Sequence, residues 1–268
     1  MQLKLAWGTD PGLQRSENED AVLVLRNKAG VEALVVVCDG MGGHAAGHLA
    51  STIASETFVD SLQKDGEKGV DTSRLTKASA EANSAVHEAS QRNPAWAGMG
   101  STLVVAAVDG DDLSVVNVGD SPAWLFREGK PRLISQDHSW PAEQVRLGII
   151  KPEEAKDHPM KHRLTRAIGV WERIAPYSDR LRLQPGDTVV LCSDGIETAG
   201  VEVEEMGRLL AGRDLDEGIR SVIAKCRDLG APDNVTLAVI RVEGERERRP
   251  RDLATPKTAV LPAFKREK

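Results

Sequence analysis

Three aspartates stand where an apolar run meets a glycine or an amide. Leu34–Cys38 leads into Asp39-Gly40-Met41-Gly42-Gly43-His44, Thr188–Cys192 leads into Ser193-Asp194-Gly195, and Asp233-Asn234 opens Val235–Ile240. Carboxylate oxygens are hard donors, and several brought to one place make a cage for a hard divalent cation. The glycines at 40, 42 and 43 let backbone approach an ion or a phosphate closely. Other chemistries lack their residues. A cysteine phosphatase needs Cys-x5-Arg, but His44 follows Cys38 and Thr198 follows Cys192 at that spacing. There is no GxSxG nucleophile elbow and no Walker GK[ST], and Gly40-Met41-Gly42 lacks the third glycine of a dinucleotide fingerprint. The Asp109–Asp112 cluster reads as a solvated turn rather than a calcium loop. A metal enzyme is the reading that remains.

The elements that must hold these carboxylates are legible as runs and periods. An entry strand in the first residues, Ala21–Leu25 and Ala33–Cys38 read as strands. Thr102–Val108 with Leu113–Val118, and Ala123–Phe126 with Arg132–Ile134, read as hairpins around Asp109–Asp112 and Glu128-Gly129-Lys130. Strands resume near Leu181, at Thr188–Cys192 and at Val235–Val242. Helical spacing of Leu49, Ile53, Phe58 and Leu62 predicts a helix over 46–64, and that of Leu75, Ala78, Ala82, Val86 and Ala89 predicts one over 72–91. Pro94 ends it. Further helices are expected near 202–210 and 215–228. Residues 139–165 are polar, with Pro141, Pro152 and Pro159, and read as an inserted flap with short helical pieces. Strands in hairpins and helices in pairs give an α+β class: stacked antiparallel sheets with helix pairs outside.

Of 268 residues, 40% are apolar but only 3% aromatic, so the core must be Val, Leu, Ile and Ala. The net charge is -6, yet residues 244–268 carry eight Lys/Arg against four Asp/Glu, which leaves the rest near -10. An acidic body suits cations and argues against nucleic acid as a partner. Three cysteines without a CxxC exclude a disulfide framework and a structural zinc. The absence of a signal-peptide core and of any long apolar stretch leads us to expect a cytoplasmic protein without a membrane span. The organisation expected is a domain over 1–243 and a basic, disordered tail over 244–268.

Taken in order, further motifs make the chain resemble the bacterial PPM, or protein phosphatase 2C-type, metal-dependent Ser/Thr phosphatases. Thr9 through Asp20 resembles the first motif of that family, and Asp39 through His44 with Gly47, Ala50 and Ser51 the second. Gly100-Ser101-Thr102, Gly119-Asp120-Ser121, Asp137-His138-Ser139, Leu164 through Gly169, Ser193-Asp194-Gly195 and Asp233-Asn234 supply the rest. The resemblance covers residues ~5–242. It implies a four-layer α/β/β/α sandwich and hydrolysis of phosphoserine and phosphothreonine by a water or hydroxide bridging two Mg²⁺ or Mn²⁺ ions, ~3.5–4 Å apart. By resemblance Asp39 bridges the two ions, Asp194 and Asp233 complete one shell, and the Gly40 carbonyl holds the other. Asp20 and Glu19 support that second ion through water, and Asn234 supports Asp233. A third, weaker ion would use Asp120 with Asp194. Arg15 would bind the substrate phosphate, a task its planar fork suits. His44 and a water on the third ion compete as proton donor to the leaving alkoxide. His138 reads as structural, His162 as a surface residue, and His48, His87 and His158 as solvated.

The chain departs from the pattern at Pro122, where the family usually has Arg after Gly-Asp-Ser, and this leaves third-metal affinity open. The implied partners are phosphorylated proteins and a cognate Ser/Thr kinase, with type VI secretion, cell-wall and stress signalling all open as pathways, and the expected state is a monomer. The alternative is a non-catalytic phosphoprotein-binding scaffold, which loss of a metal carboxylate would favour. In the tail, Thr255 and Thr258 sit in a basic setting that would pair with phosphate if modified.

Overall fold

The computed structural model describes residues 1–43, 45–64, 69, 71–212 and 214–244. The expectations for His44 and for the tail beyond Gly244 lie outside the described residues. In chain order, β1 (Gln2–Asp10), β2 (Asp20–Lys28) and β3 (Val31–Met41) precede α1 (Ala45–Lys64) and α2 (Thr72–Arg92). Then come β4 (Gly100–Ser101), β5 (Leu103–Asp109), β6 (Asp112–Val118), β7 (Ala123–Arg127) and β8 (Lys130–Leu133). The flap carries α3 (Trp140–Arg146) and α4 (Pro152–Ala155). The chain continues with β9 (Tyr177–Arg182), β10 (Thr188–Cys192), α5 (Gly195–Thr198), α6 (Val203–Leu210), α7 (Leu215–Asp228) and β11 (Val235–Gly244).

Two antiparallel sheets result. One has the order β1-β11-β10-β7-β8 and the other β2-β3-β5-β6-β9, with β4 paired to the end of β3. Side chains alternate across each strand, and both faces are covered, which is why the strands read as unbroken apolar runs. On β3, Ala33, Val35 and Val37 face the other sheet, whereas Leu34, Val36 and Cys38 face α1 and α2. On β10, Val189 and Leu191 enter the inter-sheet core, whereas Val190 and Cys192 pack under α6 and α7. The four-layer sandwich follows from this double burial. Each fully buried Val or Leu contributes about 1.5–3 kcal/mol, so small aliphatic residues suffice without aromatics.

Three helices, α2, α7 and α3, begin where a side chain satisfies one of their first amides. Asp71 accepts from the Arg74 amide at 3.0 Å, Asp214 from the Asp216 amide at 3.0 Å, and Ser139 from the Ala142 amide at 3.4 Å. The flap leaves and rejoins the sandwich at neighbouring points, because Ser139 bridges to Leu164 and the Trp140 amide donates to the Arg163 carbonyl at 2.7 Å. The short helix α5, directly after Asp194, went unread in the sequence.

Candidate metal centre

Asp39 does not end its strand, as expected, but lies within it. β3 runs on to Met41, and its last residues pair with β4. Within the β2–β3 ladder Asp39 stands directly opposite Asp20. Opposed residues have Cβ atoms about 5 Å apart, so two carboxylates are held close by register alone. Asp39 is fixed further by Thr102: its amide donates to Thr102 Oγ1 and its carbonyl accepts from the Thr102 amide, both at 2.8 Å. Thr102 Oγ1 also meets Ser121 Oγ at 2.6 Å, which ties the Gly119-Asp120-Ser121 turn to the same point.

The second sheet delivers the other carboxylates. Asp194 follows β10 and immediately precedes α5; Asp233 precedes β11. The two segments touch so closely that a Cβ at Gly195 would lie 1.8 Å from the Asn234 carbonyl oxygen. Gly40 is equally obligatory, since a Cβ there would lie 2.0 Å from the Gly47 carbonyl oxygen. The sheets are stitched together by Ser193, whose hydroxyl donates to Asp20 Oδ2 at 2.8 Å and accepts from the Thr236 amide at 3.1 Å. Asp20 Oδ1 is buried and has no hydrogen-bond partner among the described residues.

The electrostatics are those of crowded, desolvated anions. Burial, and then Asp20 and Asp194, hold the Asp39 carboxyl well above the usual carboxylate range. Burial pushes Asp20 up to about 7 against the hydrogen bonds of Thr236 and Ser193. Burial and then Asp194 push Asp120 up to about 8. Asp194 rises to about 6 through burial and Asp233. An orphaned buried carboxylate oxygen and mutually repelling carboxylates, with a glycine carbonyl beside them, fit a hard divalent cation. Among the described residues no three His, Cys, Asp or Glu side chains already surround a single point as a ligand set.

Arg15 donates to Asp233 Oδ2 at 2.8 Å, while Asp233 Oδ1 accepts from the Asn234 amide at 2.8 Å. Asn234 holds the loop that carries Arg15: its Nδ2 donates to the Pro11 and Glu17 carbonyls at 2.9 Å, and its Oδ1 accepts from the Glu19 amide at 2.8 Å. Glu19 returns a carbonyl to the Gly40 amide at 3.2 Å. Every sequence-predicted site residue among those described is thus tied to one edge of the sandwich. His162 is exposed, as the surface reading expected. His87 and His158 correct the solvated reading. His87 Nδ1 meets the Gly169 carbonyl at 3.0 Å, and His158 lies against Trp140 with ring centroids 4.9 Å apart. Sequence reasoning missed Ser193, Thr236, Thr102 and Ser121 as holders of the carboxylates. Ser121 and Ser193 adjoin a motif aspartate and Thr102 closes the Gly100-Ser101-Thr102 motif, whereas Thr236, inside β11, carried no local signal.

Comparison with known proteins bears on what such a site does. The family model described as protein phosphatase 2C matches residues 13–226. The serine/threonine phosphatase stp of Listeria monocytogenes is 35% identical over 87% of this chain and 93% of its own length. The crystal structure of the Mycobacterium tuberculosis serine/threonine phosphatase PstP/Ppp superposes with a TM-score of 0.80 at 33% identity, covering 90% of this chain and 99% of that one. A structure of the PstP catalytic domain in complex with two manganese ions aligns with a TM-score of 0.77 at 32% identity, covering 89% of this chain and 97% of that one.

Proposed function

This chain belongs to the protein phosphatase 2C family of metal-dependent serine/threonine protein phosphatases, and from that premise we propose how its own residues divide the work. Asp39 would be shared by two Mn²⁺ or Mg²⁺ ions, Asp194 and Asp233 would complete one shell, and the Gly40 carbonyl would hold the other, with Asp20 and Glu19 supporting it through water. Asp120 with Asp194 would take a third, weaker ion. Bound there, the cations supply Lewis acidity toward the ester oxygens and a water acidified toward neutral pH. The observation that carries this assignment is the set of buried carboxylates on one edge whose proton affinities are raised by burial and by one another.

Arg15 is the phosphate anchor. Its bond to Asp233 Oδ2 means that Arg15 and a cation compete for the same oxygen. A cation on Asp233 frees the guanidinium to make paired bonds to the substrate phosphate. His44 is the candidate acid for the departing Ser or Thr oxygen. A His44→Gln change should then slow a phosphothreonine peptide far more than p-nitrophenyl phosphate, whose leaving group needs no proton. Equal losses would remove His44 from that role. The substrates are phosphoproteins produced by a Ser/Thr kinase.

The test is hydrolysis of a phosphothreonine peptide with Mn²⁺, with EDTA, and by Asp39→Asn and Asp233→Asn variants. Turnover should need the ion and collapse in both variants. Turnover that survives chelation, or that both variants keep, would defeat the two-ion assignment. Phosphopeptide binding without turnover would favour the scaffold instead.

A further inference from the structure

His138 is fully buried, yet it lies outside the carboxylate cluster. It faces two elements at once. On one side its Nδ1 receives the Gly119 amide at 3.1 Å, and its own amide donates to the Gly119 carbonyl at 3.2 Å. On the other side its carbonyl accepts from the Thr165 amide at 2.7 Å and from Thr165 Oγ1 at 2.8 Å, where the flap rejoins the sandwich. Arg166 Nη1 sits 3.2 Å from Nε2. A neutral imidazole has one acceptor nitrogen, so it cannot accept from both Gly119 and Arg166. The Gly119 amide makes no other hydrogen bond among the described residues, whereas Arg166 Nη1 also donates to the Ala175 carbonyl at 2.9 Å. Leaving a buried amide unpaired is the costlier choice, so Nδ1 serves Gly119 and Nε2 carries the proton. Burial, and then the positive charge of Arg166, push His138 down to about 4, which keeps Nδ1 unprotonated at neutral pH.

We propose that His138 is a positioning residue for Asp120: it clamps the Gly119-Asp120 turn to the base of the flap, so that flap and carboxylate move together. This rests on the reading of Asp120 as an ion ligand. Gly119 has little freedom elsewhere, since its φ is +103° and a Cβ there would lie 2.7 Å from Thr102 Cγ2. The clamp therefore sets where Asp120 points. It also gives the flap a direct path to the weaker ion.

The test is Mn²⁺ binding by calorimetry without substrate, beside melting in EDTA. Asn at 138 can present an acceptor near the Nδ1 position, Gln reaches only toward Nε2, and Leu presents none. Outer partners of ligands are worth about 10–100-fold in metal affinity. His138→Gln and His138→Leu should weaken the lowest-affinity binding step by about tenfold or more, and His138→Asn by much less. Asn and Leu losing affinity alike, or none of the three altering Mn²⁺ binding while only melting falls, would overturn the clamp. Asp120→Asn is the control for the premise. If it leaves Mn²⁺ binding unchanged, Asp120 is not a ligand, and the clamp falls for that separate reason. In the unmutated protein, ¹⁵N NMR of His138 should show an unprotonated Nδ1 whose signal moves on adding Mg²⁺, and a protonated Nδ1 would also overturn the assignment.

Discussion

The two ends of β10 hold buried aspartates in opposite circumstances. At its start Asp187, 1% exposed, accepts two bonds from Arg127 at 2.9 and 2.8 Å and one from the Gln184 amide at 2.7 Å. At its far end Asp194 has other carboxylates for neighbours and a raised proton affinity. A carboxylate whose task is to hold the fold is given its cation by the chain itself. Asp194 is instead desolvated among like charges, the condition expected of a carboxylate proposed to hold a separate ion, whereas Asp233 beside it is paired by Arg15. The folded state bears that cost until a divalent ion removes it.

The sharpest way to break this contrast is to neutralise one carboxylate of the crowded cluster and, separately, to remove the cation that Asp187 rests on. Asp39→Asn should lose roughly 10³-fold in turnover of a phosphothreonine peptide at saturating Mn²⁺, about 4 kcal/mol of charge stabilisation. In EDTA the same variant should melt higher than the parent, because a repelling charge is gone. A lower melting temperature in EDTA would mean that the cluster is not strained. At the other end, Arg127→Leu leaves Asp187 buried and unpaired. Discounted for the partial exposure of Arg127, the loss should be about 2–3 kcal/mol by urea melts, with turnover per folded molecule unchanged. A matching loss of turnover would show that the two ends are not separable.

The pH dependence sharpens the comparison further. Asp20 near 7, Asp120 near 8 and Asp194 near 6 all stand above the unfolded value of 3.8. Between those limits the folded chain binds more protons than the unfolded one, so stability falls as pH rises. His138, near 4 against 6.5 unfolded, acts oppositely, and its contribution is lost as pH falls from 6.5 to 4. Stability in EDTA should therefore decline from about pH 6.5 to 8, by roughly 1–2 kcal/mol. Mn²⁺ should raise melting more at pH 8 than at pH 6, and an equal rise at both would count against ion binding by these groups. The smallest effect is expected for Ser193→Ala, which removes a donor to Asp20 and an acceptor of the Thr236 amide. It should cost about 1 kcal/mol and weaken Mn²⁺ binding slightly, and a loss as large as that of Asp39→Asn would show that the hydroxyl does more than orient.

Much of this was legible beforehand where local rules decide. The β5–β6 hairpin around Asp109–Asp112 formed as its turn residues required, and α2 formed over Thr72–Arg92, before Pro94, as its apolar period predicted. Asp39 was legible as a site residue but misplaced at a strand end. Its position depends on pairing with β2 and β4, and no residue near it in the chain encodes that register. α5 was missed because four residues carry too little periodicity to be seen.

The sequence by itself determined which residue types are available: an excess of aspartates beside glycines, one arginine in the first loop, and apolar runs able to bury both faces. Those are properties of composition and short-range spacing. The tertiary structure alone decided that Asp20 opposes Asp39, that Ser193 reaches Asp20, that Arg15 rests on Asp233 and that His138 meets both Gly119 and Thr165. Each of these contacts joins segments brought together by sheet register and sandwich packing. Their consequence, a shared and costly desolvation of like charges, exists only once both sheets have closed.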